Sequence, residues 1–200
     1  MHGCRDAAVT AMALVGTLGA LVATASAAPD GKDPAPQGHV SVTPGTGIRV
    51  QAGLERALLR EMNVARAEYD VAPLKSDAIL QQAARKHSRY LSRLGRLDHE
   101  SAGGKPFWTR LVKAGFPRTR SMGENLALVG GCGRPAGYIQ LRRNQRRTAN
   151  ASEARRVVTM WLKSPGHRAN LLNPGFRHAG AGVTTDAACS ATMYTADYGG

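Results

Sequence analysis

Two histidines and a glutamate stand where this chain could do chemistry. His99 lies in Asp98-His99-Glu100, Glu124 in Gly123-Glu124-Asn125, and His167 directly after Ser164-Pro165-Gly166. Imidazole titrates near neutrality, so either histidine can carry a proton, polarise a bound group or ligate a metal. Each residue also has a plain structural reading. His99 is flanked by acids in a Gly-rich loop and can be merely solvated, His167 can fasten the Ser-Pro-Gly turn, and Glu124 can stitch neighbouring loops. The familiar catalytic signatures are missing: there is no His-Glu-x-x-His, no Gly-x-Ser-x-Gly and no Gly-rich phosphate loop ending in Lys-Ser/Thr. The cysteines are too few and too far apart for a thiolate zinc site. Ser164 and Ser101 are nucleophiles by type only.

The elements that must position these residues are read from periodicity. From Gln51 apolar residues recur at helical spacing (Leu54, Leu58, Met62, Ala65). A second helix is expected from about Asp77 to Leu94, with Ser76 as its N-cap, Gly95 as its stop, and His87 among its apolar positions. Pro106 to Ala114 predicts a short third helix ended by Gly115. Residues 121–129 read as extended, and 130–150 as a polar loop holding Cys132 and the basic run Arg142-Arg-Asn-Gln-Arg-Arg147. A last long helix is expected from Ser152 or Glu153, carrying Val157, Met160 and Trp161, until Pro165 ends it. Ala179–Thr185 and Ala191–Tyr198 alternate as two strands. Helices first, few and late strands, and no βαβ alternation predict an α+β domain with a small antiparallel sheet covered by helices.

The bulk numbers bound the class. The length of 200 residues suits one domain. Residues 1–27 read as a signal peptide: an apolar run from Ala7 to about Val22, then Ala25-Ser26-Ala27 as the cleavage site. Residues 28–50, dense in Pro, Gly and polar residues, read as a flexible leader, and 51–200 as the domain. Export would leave Cys132 and Cys189 in an oxidising compartment, where a Cys132–Cys189 disulfide is the default, stabilising by a few kcal/mol in the chain-entropy model. The net charge of +13 favours anionic partners such as acidic cell-envelope polymers or lipids, while export argues against nucleic acid. No transmembrane span is expected in the mature chain.

Taken in order, several motifs fit one pattern. They are Asn63-x-x-Arg66 with Pro73-Leu74, the His99 loop, Gly-Glu124-Asn-Leu-Ala, and Trp161-Leu-Lys-Ser-Pro-Gly-His167-Arg-Ala-Asn-Leu-Leu-Asn-Pro. Together they resemble the bacterial branch of the CAP superfamily, the SCP-like extracellular proteins, over roughly residues 54–198. Its other branches are the cysteine-rich secretory proteins, antigen 5 and the pathogenesis-related 1 proteins. The resemblance implies an α-β-α sandwich with a small central antiparallel sheet, and a cleft lined by two histidines and two acids. His99, Glu124 and His167 match three of these. In animal and plant members a glutamate falls three residues after the helix tryptophan, and here that position is Ser164. The trio is a ligand set for zinc or another divalent ion, with His99 and His167 as its nitrogen donors, although no cofactor is required. The missing acid points to a secreted binding module for a small lipid- or sterol-like ligand or a metal. A metal- or histidine-assisted hydrolase using His99, Glu124 and His167 on wall or extracellular material is the rival, and a basic surface-docking protein a third reading.

Overall fold

The computed structural model describes residues 47–130, 143–188 and 191–200. The expected signal peptide, most of the leader, and both Cys132 and Cys189 lie outside them. The elements run β1 (Ile48–Val50), α1 (Ala52–Glu68), β2 (Lys75–Ser76), α2 (Ala78–Leu94), α3 (Phe107–Ala114), β3 (Met122–Val129), α4 (Arg143–Lys163), α5 (Pro165–Leu171), β4 (His178–Asp186) and β5 (Ala191–Gly199). The sheet is ordered β1-β4-β5-β3 with antiparallel neighbours, and β2 adds a short parallel pairing to β4. Among the described residues no helix is long and apolar enough to cross a membrane.

Alternation along the strands sorts the side chains onto two faces. Ala179, Ala181 and Val183 of β4 and Tyr194, Ala196 and Tyr198 of β5 join the core under α1 and α4, with Leu58, Met62, Val157 and Trp161. The other face takes α2 and α3, through Leu80 with Leu111 and Phe116, and Leu91 with Leu126 and Met193. Both faces of the sheet are therefore covered by helices, which is the expected α-β-α sandwich. The close seating of α2 depends on glycine: a Cβ on Gly182 would run into the backbone of Ala84 and Arg85, and one on Gly180 into Leu80 and Gln81. Gly182→Ala should therefore lower stability by about 1–3 kcal/mol. A urea midpoint equal to wild type would show that the helix does not rest there.

Three boundaries differ from the sequence expectation. The N-cap of α2 is Asp77, not Ser76: its carboxylate accepts from Leu80 N at 2.9 Å. Ser76 is occupied in β2, paired with Ala179, so the first residue able to cap comes one later. The last long helix begins at Arg143, so residues 143–150 are helical and not loop. The basic run offered no apolar stripe by which a helix could be read. Ile48–Val50, the end of the expected leader, pairs with β4 as β1.

The opening motif of the resemblance acts as a clasp. Asn63 Nδ2 donates to Leu74 O at 3.0 Å, and Leu74 N donates back to Asn63 Oδ1 at 2.8 Å. Arg66 is fully buried. Its Nε donates to Ala72 O (2.7 Å), its Nη1 to Leu171 O (2.8 Å) and Asn173 O (3.1 Å), and its Nη2 to Phe176 O (3.1 Å). One guanidinium thus ties α1 to the segment that follows α5.

Candidate functional site

Glu124 lies on β3 directly across from Asp197 on β5, so both carboxyls project from the α2/α3 face. His99 belongs to the loop that follows α2, released by Gly95 in the left-handed conformation (φ 71°). The loop folds back through a bridge between Ser101 and Lys105. His99 Nδ1 meets Glu124 Oε1 at 2.7 Å, so its N–H donates to the carboxylate. The imidazole side chain is 55% exposed above a carboxylate that is wholly buried.

Two further residues hold this pair: Arg110, which was not singled out in the sequence, and His87, which was read only as one of the apolar positions of α2. Arg110 of α3 places Nη2 in ion-pair contact with Glu124 Oε2, and its Nη1 donates to His99 O at 2.9 Å and to Ser101 Oγ at 3.3 Å. One guanidinium thereby fixes both the carboxylate and the loop that carries the imidazole. His87, expected in the core or at its rim, is buried in α2, where its Nε2–H donates to Asp98 O at 2.8 Å. Burial, with the Arg110 charge adding to it, pushes His87 down to about 3, so the ring is neutral at ordinary pH. Its 3.9 Å approach to Glu124 is then not an ion pair.

Asp197 completes the cluster in an unusual state. It is fully buried, and neither carboxyl oxygen has a hydrogen-bond partner among the described residues. Its nearest cation is Arg110, with Nη2 3.9 Å from Oδ1. Burial raises its pKa to about 7 against the opposing pull of Arg110 and His99. The signal for Asp197 was present in the sequence: it is the one charged residue in Ala191–Gly199. Its partner, however, depends on the β3–β5 register.

His167 reaches the same strand one residue further on. Its carbonyl accepts from Asn125 Nδ2 at 2.9 Å, while its Nδ1 lies 2.9 Å from Ser164 Oγ. Asn170 Nδ2 donates to Glu124 O (3.0 Å) and Asn125 Oδ1 (3.1 Å), and Trp161 Nε1 donates to Leu126 O (2.8 Å). The Gly-Glu-Asn and Trp…His-Arg-Ala-Asn motifs are therefore laced together along β3. His99 and Glu124 are joined directly, whereas His167 is joined to their strand through Asn125. Glu153 of α4 is not part of this cluster: it accepts from the hydroxyl of Tyr194, which points to the opposite face of the sheet from Asp197. Glu100 is exposed beside His99, and its backbone N–H donates to Asp98 Oδ1.

The sequence profile of the cysteine-rich secretory protein family, CAP, matches residues 59–198. The chain belongs to this family. The CAP domain resembles the uncharacterized protein YkwD of Bacillus subtilis (strain 168), with 29% identity over 129 residues, which is 64% of this chain and 41% of that protein. The chain thus spans less than half the length of that relative. Among solved structures, an outer surface protein of Borrelia burgdorferi superposes with a TM-score of 0.57 at 18% identity, covering 76% of this chain and 96% of the other. An extracellular protein of Bacillus anthracis str. Ames that contains an SCP domain gives 0.53 at 23% identity, covering 73% and 40%. These two likenesses carry the CAP fold.

The cluster around Glu124 already holds a cation of its own. A divalent ion drawn to the Glu124 carboxylate would meet the Arg110 guanidinium, which already holds it. His99 turns Nδ1 to the same carboxylate. Among the described residues no group of three or more His, Cys, Asp or Glu side chains is arranged to hold a metal ion.

Proposed function

We propose that the chain is an exported CAP-domain binding protein that receives a small lipid- or sterol-like ligand at the His99–Glu124 site without turning it over. The observation that carries this reading is the half-exposed imidazole of His99 held by Nδ1 on a buried glutamate. A carboxylate partner at one ring nitrogen sets the tautomer, which leaves Nε2 as the acceptor in the neutral ring. A ligand hydroxyl can donate to that nitrogen while the rest of the molecule lies along the loop. Ser164 supports binding over catalysis, because it stands where animal and plant members carry the second acid. Export is supported by the Ala25-Ser26-Ala27 cleavage pattern and by relatives described as extracellular or outer-surface proteins.

Titration with a fluorescent fatty acid and with dehydroergosterol tests the reading. His99→Ala and Glu124→Gln should each weaken binding by about tenfold, the worth of one hydrogen bond to a charged or polarised group. Equal affinity in all three proteins would remove the ligand from this site. Steady hydrolysis of a peptide or ester that Glu124→Gln abolishes would make the protein an enzyme instead.

One observation favours a second, compatible role at anionic surfaces. Lys86, Arg89 and Arg93 are exposed along the outer face of α2 at three- and four-residue spacing, and this helix contains no Asp or Glu. Such a face would hold an acidic polymer or lipid through contacts that weaken steeply with salt.

A further inference from the structure

Glu124 and Asp197 face each other across two strands, and the fold inserts one cation between them. That cation is the Arg110 side chain, only 12% exposed, with Nε and Nη2 shut away from solvent. We propose that Arg110 is the resident cation of the cleft: its guanidinium takes the place a divalent ion would hold against Glu124, so the site works without metal.

The charges argue for this arrangement. Two buried carboxyls flank the guanidinium, and two imidazoles, His87 and His99, lie against the Glu124 carboxylate it holds. Adding a dication beside Arg110 would bring like charges together in a poorly solvated space, which is strongly unfavourable. Take the guanidinium away, and Glu124 is left with His99 as a bare carboxylate–imidazole pair, the chemistry that draws zinc. Arg110 does more than neutralise. Through Nη1 it also grips His99 O and Ser101 Oγ, so the charge that excludes a metal positions the ring that meets the ligand. Asp197, 3.9 Å away and without a hydrogen-bond partner among the described residues, keeps the guanidinium from turning outward. A lysine could supply the charge but not the two-sided grip, because an ammonium has no planar fork.

This inference rests on the same site as the binding reading, but its tests read zinc and the imidazole alone, so a failure of lipid binding leaves them interpretable. The full chain is titrated with zinc chloride by calorimetry and thermal shift, as wild type, Arg110→Lys, Arg110→Gln and Arg110→Gln/Glu124→Gln. Wild type and Arg110→Lys should give no heat that His99→Ala removes, and their melting should not respond to zinc or EDTA. Arg110→Gln should gain a melting rise with zinc that the added Glu124→Gln abolishes. In 15N spectra of the histidines, wild type should hold His99 as the Nδ1–H tautomer, and Arg110→Lys should show a mixture. Zinc binding by wild type that is lost in His99→Ala would overturn the proposal. So would a folded Arg110→Gln protein indifferent to zinc. Should Arg110→Gln not fold, the wild-type zinc titration and the Arg110→Lys spectrum still decide.

Discussion

Arg66→Ala should destabilise the domain by about 3–5 kcal/mol, a loss typical of breaking a buried hydrogen-bond network. The guanidinium is fully buried and satisfies the carbonyls of Ala72, Leu171, Asn173 and Phe176. Alanine would leave four acceptors without donors in the interior. It would also release the last turn of α5, which carries Asn170, the residue that bonds the backbone of Glu124. Arg66→Lys should recover only part of the loss, since one ammonium cannot reach acceptors spread over a planar fork. Urea unfolding measures both variants. An Arg66→Ala midpoint within the equivalent of about 1 kcal/mol of wild type would refute the clasp.

The second large effect is a dependence on pH. Asp197 has a folded-state pKa raised to about 7, whereas an ordinary aspartate titrates near 3.8. Between these values the native protein keeps a proton that the unfolded chain has released. Stability contributed by this group is therefore full below about pH 4, falls as pH rises through 7, and is flat above. The loss across that window is on the order of 4 kcal/mol. His87 works the other way. Neutral in the fold down to about 3, it costs stability as pH falls below the unfolded-state value of 6.5. The two effects overlap in the wild type, so the difference between wild type and Asp197→Asn isolates the carboxyl. Urea midpoints at pH 4.5 and pH 8 should show the variant gaining on wild type at the higher pH. Parallel curves would mean that Asp197 is ionised throughout.

Elements with a strong period or a terminal glycine were legible in the sequence. The apolar row of α2, its stop at Gly95 and the stop of α3 at Gly115 all lie where the residues put them. So do β4 and β5, where alternation marks strands even though helices cover both faces. The α4 start was hidden because a basic, polar run has no apolar stripe. Within the site, His99 and Glu124 could be named because their motifs are local. Arg110 and Asp197 could not, because their meaning depends on which strand lies opposite which. An arginine in an amphipathic helix reads as solvated until α3 is seen to lie over Glu124. The role of His167 was legible only in part: its turn was plain, but its link to the site runs through its own carbonyl and Asn125.

Among the described residues β3, the strand that carries Glu124, closes one side of the sheet with β5 as its single strand neighbour. A strand in that position offers its outer carbonyls to any passing chain, a standing invitation to self-association. Here the carbonyls of Glu124 and Leu126 are already taken, by Asn170 and Trp161. The Trp161…Asn170 motif that laces α4 and α5 to β3 thus also occupies the acceptors by which one copy of the protein could zip onto the next.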